Sequence, residues 1–220
     1  MFKGAAVPEG SADDLSTRAR IRDAAVVVFG EQGFGVGVRA IAAAAGVSPG
    51  LVNHHFGSKE GLREACDDHV RDVIRAVKTE YIRHPTTKGL LEAMADMEDF
   101  APYTAYLMRS FQAGGDLMVT MFEHMVEDVE GYLRAGVEAG TIRPQPDLKA
   151  TARYLAMHNG GGFFFFLQLY TARHGGKLDY RKALRDYADQ VMLPAVDIFT
   201  NGLFADSTTY DTLLGGGGEL

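Results

Sequence analysis

Apolar residues recur every three or four positions along most of this chain, in stretches separated by short breaks at glycine or proline. Ile21, Ala25, Val28 and Phe29 form one such stripe. They predict a helix from Thr17 to Gln32, capped by Ser16 or Thr17 and ended by Gly33. Ile41, Ala42 and Ala45 form a second stripe, on a helix too short to persist unless it packs on something. Gly46 stops that helix, because glycine takes the left-handed conformation without steric cost, and Val47 turns back as the hydrophobic contact of the cap. Ser48 and Pro49 restart the chain. A serine N-cap accepts a backbone N–H, and proline at the first helical position gives up no hydrogen bond. A third helix therefore runs from Pro49 to about Phe56, with Val52 and Phe56 facing the core. Ser58 caps a long helix from Lys59 to about Ile82, striped by Leu62, Cys66, His69 or Val70, Val73, Ile74 and Val77.

His84-Pro85 marks a boundary. Beyond it every segment reads helical: about Thr87 to Phe100, Tyr103 to Gln112, Asp116 to Ala139, Asp147 to Arg173 and Tyr180 to Leu203. Gly114-Gly115, Gly140 with Pro144 and Pro146, and Gly175-Gly176 punctuate them. No alternating strand pattern appears, so the fold class is all-α. The segment from Asp147 to Arg173 is apolar nearly all round, which one exposed helix does not sustain in water. Leu184, Ala188, Val191, Ala195 and Ile198 make a four-three seam that calls for a partner helix. Pro194 is expected to kink that helix modestly.

The stretch from Val38 to Leu62 is two short helices across a turn of three or four residues containing glycine. In that geometry the second helix can enter a DNA major groove; the same hairpin also occurs as ordinary packing in all-α proteins. Its sequence is more specific. Ile-Ala-x-x-Ala-Gly-Val-Ser-Pro-Gly, followed by His-His-Phe-Gly-Ser-Lys-Glu-Gly-Leu, strongly resembles the DNA-binding segment of TetR/AcrR-type bacterial transcriptional regulators over roughly residues 17 to 80. The resemblance implies about nine helices in two units. Residues 15–62 form the helix-turn-helix domain and 63–204 a helical effector-binding and dimerisation domain, between a disordered arm at 1–14 and a flexible tail at 205–220.

Charge supports a protein that meets DNA with one end. The whole chain carries −7, whereas Leu15 to Glu60 carries +2 and the remainder −9. The chain offers no run of 18 or more apolar residues and no signal-peptide layout, so a cytoplasmic protein without membrane contact is expected. The single cysteine, Cys66, excludes an internal disulfide and reads as a small buried thiol. Gly33 to Gly37, GFGVG, superficially matches a dinucleotide fingerprint, but it follows a helix and no βαβ unit surrounds it.

The expected DNA contacts are Arg18, Arg39, Ser48, Pro49, Gly50, Leu51, Asn53, His54, His55 and Lys59. Arg18 belongs to a cluster with Arg20 and Arg22, which the resemblance places near the DNA backbone. Lys59 stands in the first turn of its helix, where a cation opposes the helix dipole, so a phosphate contact explains it better than stability does. The chain departs from the family at two points: Gly37 stands where a serine or threonine usually caps the second helix, and Asn53 where tyrosine is common. Asparagine can pair bidentately with adenine, so Asn53 is a candidate base reader.

No catalytic constellation, metal-ligand spacing or cofactor motif appears, and an enzyme is not expected. The body is rich in methionine beside aromatics, which suits an adaptable apolar pocket, and the resemblance implies an effector cavity there. Met97, Phe100, Tyr103, Phe111, Met121, His124, Met125, His158 and Phe163 are its candidate lining; for the two histidines a satisfied core position is the alternative. Asn159-Gly160-Gly161-Gly162 interrupts an apolar helix at about 1 kcal/mol per glycine relative to alanine. Either another backbone packs closely there, across a dimer, or the helix bends beside the pocket. The first option, which we favour, puts Gly160, Gly161 and Phe164 in a homodimer interface with Leu184, Ala188, Val191, Ala195 and Ile198.

The expected function is a ligand-responsive, homodimeric repressor released from a pseudo-palindromic double-stranded operator by a small, largely apolar effector. An activator or ligand-independent DNA-binding regulator is the alternative, and a helical enzyme or binding protein that merely carries the hairpin is the third reading.

Overall fold

The computed structural model describes residues 12–86, 96–176 and 178–215, and every regular element among them is helical. Four helices form the N-terminal unit: α1 (Ala12–Gln32), α2 (Val38–Ala45), α3 (Pro49–Phe56) and α4 (Lys59–Arg83). Their inward stripes meet in one core containing Ile21, Phe29, Ile41, Val52, Leu62 and Val70. The punctuation works as its chemistry demands. Gly46 adopts φ 67°, its N–H and that of Val47 return to Ala43 O and Ala42 O, and the Ser48 and Ser58 side chains accept from Leu51 N and Gly61 N. Gly37 occupies the α2 N-cap and supplies no side-chain bond.

The body contains a 3₁₀ turn (Asp96–Phe100), α5 (Ala101–Ala113), α6 (Gly115–Glu138), α7 (Leu148–Leu155), a π-helical turn (Ala156–Gly160), α8 (Gly161–Arg173), α9 (Tyr180–Asn201) and α10 (Thr208–Gly215). One small core joins α6 to α7, and another joins α5 to α8 and α9.

Several expectations change. Helix α1 begins at Ala12, so Ser16 and Thr17 lie inside it and do not cap it; the expected arm otherwise lies outside the described residues. The Asp147 to Arg173 helix is broken by the π-turn at the Asn159-Gly160 site. Thr208–Gly215 is helical where a flexible tail is expected, because Asp206 and Asp211 bond locally to Thr208 and Ser207. Most of the expected helix from Thr87 to Phe100 lies outside the described residues. Val77, expected on the buried stripe of α4, is exposed.

The two units share elements. Tyr106 of α5 is fully buried in the N-terminal core, its ring 5.5 Å from that of Phe34. Gly30 permits this crossing: a Cβ there would meet Ala105 Cβ at 3.0 Å and Tyr106 N at 3.1 Å. Arg109 then donates to the carbonyls of Gly30 and Glu31, both at 3.1 Å, satisfying the last turn of α1 with a cation. Helix α4 crosses the expected boundary at residues 62–63 without a break, and Arg71 locks it to α6 through Asp128 (3.0 and 2.9 Å) and Glu127 (2.9 Å).

Candidate functional site

Two places have the chemistry for recognition: the outer face of α2 and α3, and a cavity in the body. On the first, Val52 is buried and Leu51 packs partly against the core, which leaves Ser48, Pro49, Gly50, Asn53 and His54 exposed along one face of α3, with Arg39 exposed on α2. Helical periodicity separates these sets.

Three expected DNA contacts have partners within the chain. The Arg18 guanidinium donates to the His55 carbonyl and lies 4.4 Å over the Phe56 ring, which pins α1 to α3. The His55 side chain is almost wholly buried, with Nε2 3.6 Å from Asp14. Lys59 Nζ donates to Phe34 O at 2.9 Å and Val36 O at 3.4 Å. That last pairing explains why a lysine is tolerated at the start of α4. Two loop carbonyls compensate the opposed helix dipole, so no phosphate is required to account for it. Leu51 is half-buried against the core.

Two family matches and one relative similar over most of its length decide what this face belongs to. Residues 21–66 match the family described as bacterial regulatory proteins, tetR family, and residues 98–205 match the tetracyclin repressor-like C-terminal domain. The HTH-type transcriptional regulatory protein RaaS of Mycobacterium tuberculosis is 49% identical over 201 residues, covering 91% of this chain and 93% of that protein. The chain belongs to the TetR family. It is thus a helix-turn-helix, DNA-binding transcriptional regulator, as sequence resemblance implied. The HTH-type regulator BetI of Burkholderia ambifaria is 29% identical over 187 residues, covering 80% of this chain and 93% of BetI. A TetR-family regulator from Rhodococcus sp. shares the fold, with a TM-score of 0.56 at 20% identity, covering 84% of this chain and 98% of the other.

The cavity occupies about 480 Å³ between α4, α5, α6, the π-turn and α9. Phe100, Tyr103, Phe111, Met121, His124, Met125 and Phe163 line it, as the sequence leads one to expect. Two candidates do not. Met97 lies off the lining, since of the 3₁₀ turn only Phe100 reaches it. His158 is exposed and stacks on Tyr154 at 5.6 Å, whereas Asn159 and Gly160 of the same turn border the cavity. Gly160 is a cavity residue too: a Cβ there would meet Met125 Cε at 2.9 Å within the same subunit. The helix is irregular beside the pocket, and Gly161 faces open space in the single subunit.

Sequence periodicity missed the polar side of this cavity. Asp67, Arg71, Ile74 and Lys78 project from one face of α4 at spacings of four, three and four residues. Their charges sit on a face that an apolar stripe does not reveal. Asp67 accepts from the Tyr106 hydroxyl at 2.7 Å, and burial holds its carboxyl above the usual range. Tyr132 is pushed up to about 12 by burial and stays protonated.

The expected seam of α9 is partly turned inward. Ala188 is buried, and Leu184, Val191 and Ala195 are half-covered, because α9 packs on α5 and the 3₁₀ turn of its own subunit. Exposed apolar side chains include Tyr154, Met157, Phe164 and Phe165 and, on α9, Leu193, Val196, Ile198 and Phe199. No helix among the described residues is long and apolar enough to cross a membrane. No group of three or more His, Cys, Asp or Glu among them is placed to hold a metal ion.

Proposed function

We propose that this regulator is a homodimeric repressor, acting in the cytoplasm, that a small and largely apolar effector releases from a pseudo-palindromic operator. The observation that carries the reading is the continuity of α4: its first turns pack beneath the recognition helix and its later turns line the cavity. Arg39, Ser48, Pro49, Gly50, Asn53 and His54 meet DNA, with Asn53 reading a base edge. Two subunits associate through the exposed apolar face of α8 and α9, since a patch containing Phe164, Phe165 and Phe199 is costly to leave in water. Phe164 and Ile198 keep their expected place in that interface.

The effector acts by preferring one of two dimer geometries. Shifting α4 against α5 changes the separation of the recognition helices, and differential affinity of about 1–3 kcal/mol between the geometries is enough for regulation. The test uses the full chain and duplex DNA from its own upstream region. Small apolar compounds that raise its melting temperature are expected to lower operator affinity by about 5- to 150-fold. Tighter operator binding in their presence would make the protein a corepressor-dependent regulator instead.

A further inference from the structure

The charged residues lining the cavity are not equivalent. Asp128 accepts from Arg71 and lies 4.0 Å from Arg75, and Arg75 is itself paired with Asp72 at 2.6 Å. Asp67 holds the Tyr106 hydroxyl and lies in the fields of Arg63 and His124. A cationic ligand group there would meet the Arg63 guanidinium. Asp68, also on the lining, is exposed to solvent. Among the described lining residues Lys78 is the cation with neither a hydrogen bond nor an ion pair; its nearest recorded contact is the Tyr132 ring, 5.8 Å from Nζ. Lys78 lines the cavity and is exposed to solvent along its open side, and the field of the Asp128 carboxylate, on the same wall, reaches it. An ammonium with no hydrogen bond or ion pair, set beside an apolar wall, gains a charge-assisted bond from an anion. Eleven residues of α4 separate Asp67 from Lys78, about 16 Å of helix, so Lys78 stands well away from that carboxylate, with Asp128 held by Arg71 between them. The rest of its wall is largely methionine and aromatic side chain.

We propose that the effector is an amphiphile with a single carboxylate-like anionic head, paired with Lys78 beside Tyr132, and an apolar body lying against Met121, Phe111 and Phe163. This rests on the reading of the cavity as the effector site and names the class of molecule it takes.

Three probes of equal chain length separate the alternatives: decanoate, 1-decanol and decyltrimethylammonium, each below its micelle concentration, titrated into the full chain by calorimetry. Decanoate is expected to bind about tenfold or more tighter than decanol, with the ammonium weakest. Lys78→Met should abolish the preference for decanoate while decanol binds as before, and Lys78→Arg should retain it. The ratio among probes on the unaltered protein tests the idea even if a variant does not fold. Decanol binding as tightly as decanoate, the ammonium binding tighter than either, or an unchanged ratio in Lys78→Met would overturn the head-group assignment and leave the effector cavity standing. Failure of all three to bind would overturn both.

Discussion

The Tyr106 hydroxyl donates to Asp67 Oδ1 across 2.7 Å, joining a ring buried in the DNA-binding core to a carboxylate on the cavity wall. Replacing Tyr106 by Phe keeps the packing and deletes the donor. A desolvated carboxylate then loses its bond, at a cost of about 1–3 kcal/mol. Denaturant melts should show that loss of stability with far-UV dichroism unchanged, and loss of helix in the native baseline would contradict the assignment.

Asp67 also sets a pH dependence. Its folded pKa lies above the ordinary 3.8 because burial disfavours the charged form. Folding therefore favours the protonated acid. As pH rises through 3.8 the unfolded chain ionises first, and stability falls until the folded carboxyl ionises too. Asp67→Asn retains an acceptor for Tyr106 without the charge. Urea melts from pH 3 to 7 should show the variant gaining on the unaltered protein as pH rises; a constant difference would contradict this.

On the DNA face, Asn53→Ala is expected to lower operator affinity by about 1–3 kcal/mol while leaving random-sequence DNA almost unaffected. Lys59→Ala should behave differently, because its ammonium is spent on the Phe34 and Val36 carbonyls. It should lower the melting temperature and leave the slope of affinity against salt unchanged. A slope smaller by about one would return Lys59 to the phosphate contacts.

Phe165 is 64% exposed and Phe199 57% exposed in the single subunit. Phe165→Glu combined with Phe199→Glu should therefore spare the subunit fold and shift sedimentation from dimer to monomer. A stable dimer in the double variant would move the interface elsewhere.

The Cys66 thiol is fully buried, its Sγ 3.6 Å from Arg22 O, and burial pushes its pKa up to about 12. At pH 8 it is almost wholly protonated. A thiol-disulfide reagent should find no reactive thiol in the native protein and one after unfolding; rapid reaction in the native state would contradict this burial.

Much of the molecule is local chemistry, and the sequence alone determined it. Gly46, Ser48 with Pro49, and Ser58 each satisfy or end a helix through neighbours within a few residues, so α2, α3 and the start of α4 were legible, as were the buried Val52 and the exposed Asn53. The family's motif lies in that same stretch. What only the tertiary structure decided are pairings between distant positions. Lys59 meets carbonyls 23 and 25 residues away, and Tyr106 meets Asp67 39 residues away. Periodicity gives which residues share a face of α4; it does not give what that face meets. The neighbour decided that Val77 lies in the open, that α9 turns Ala188 inward, and that Lys78 fronts a cavity, because burial and charge pairing depend on the helix packed opposite.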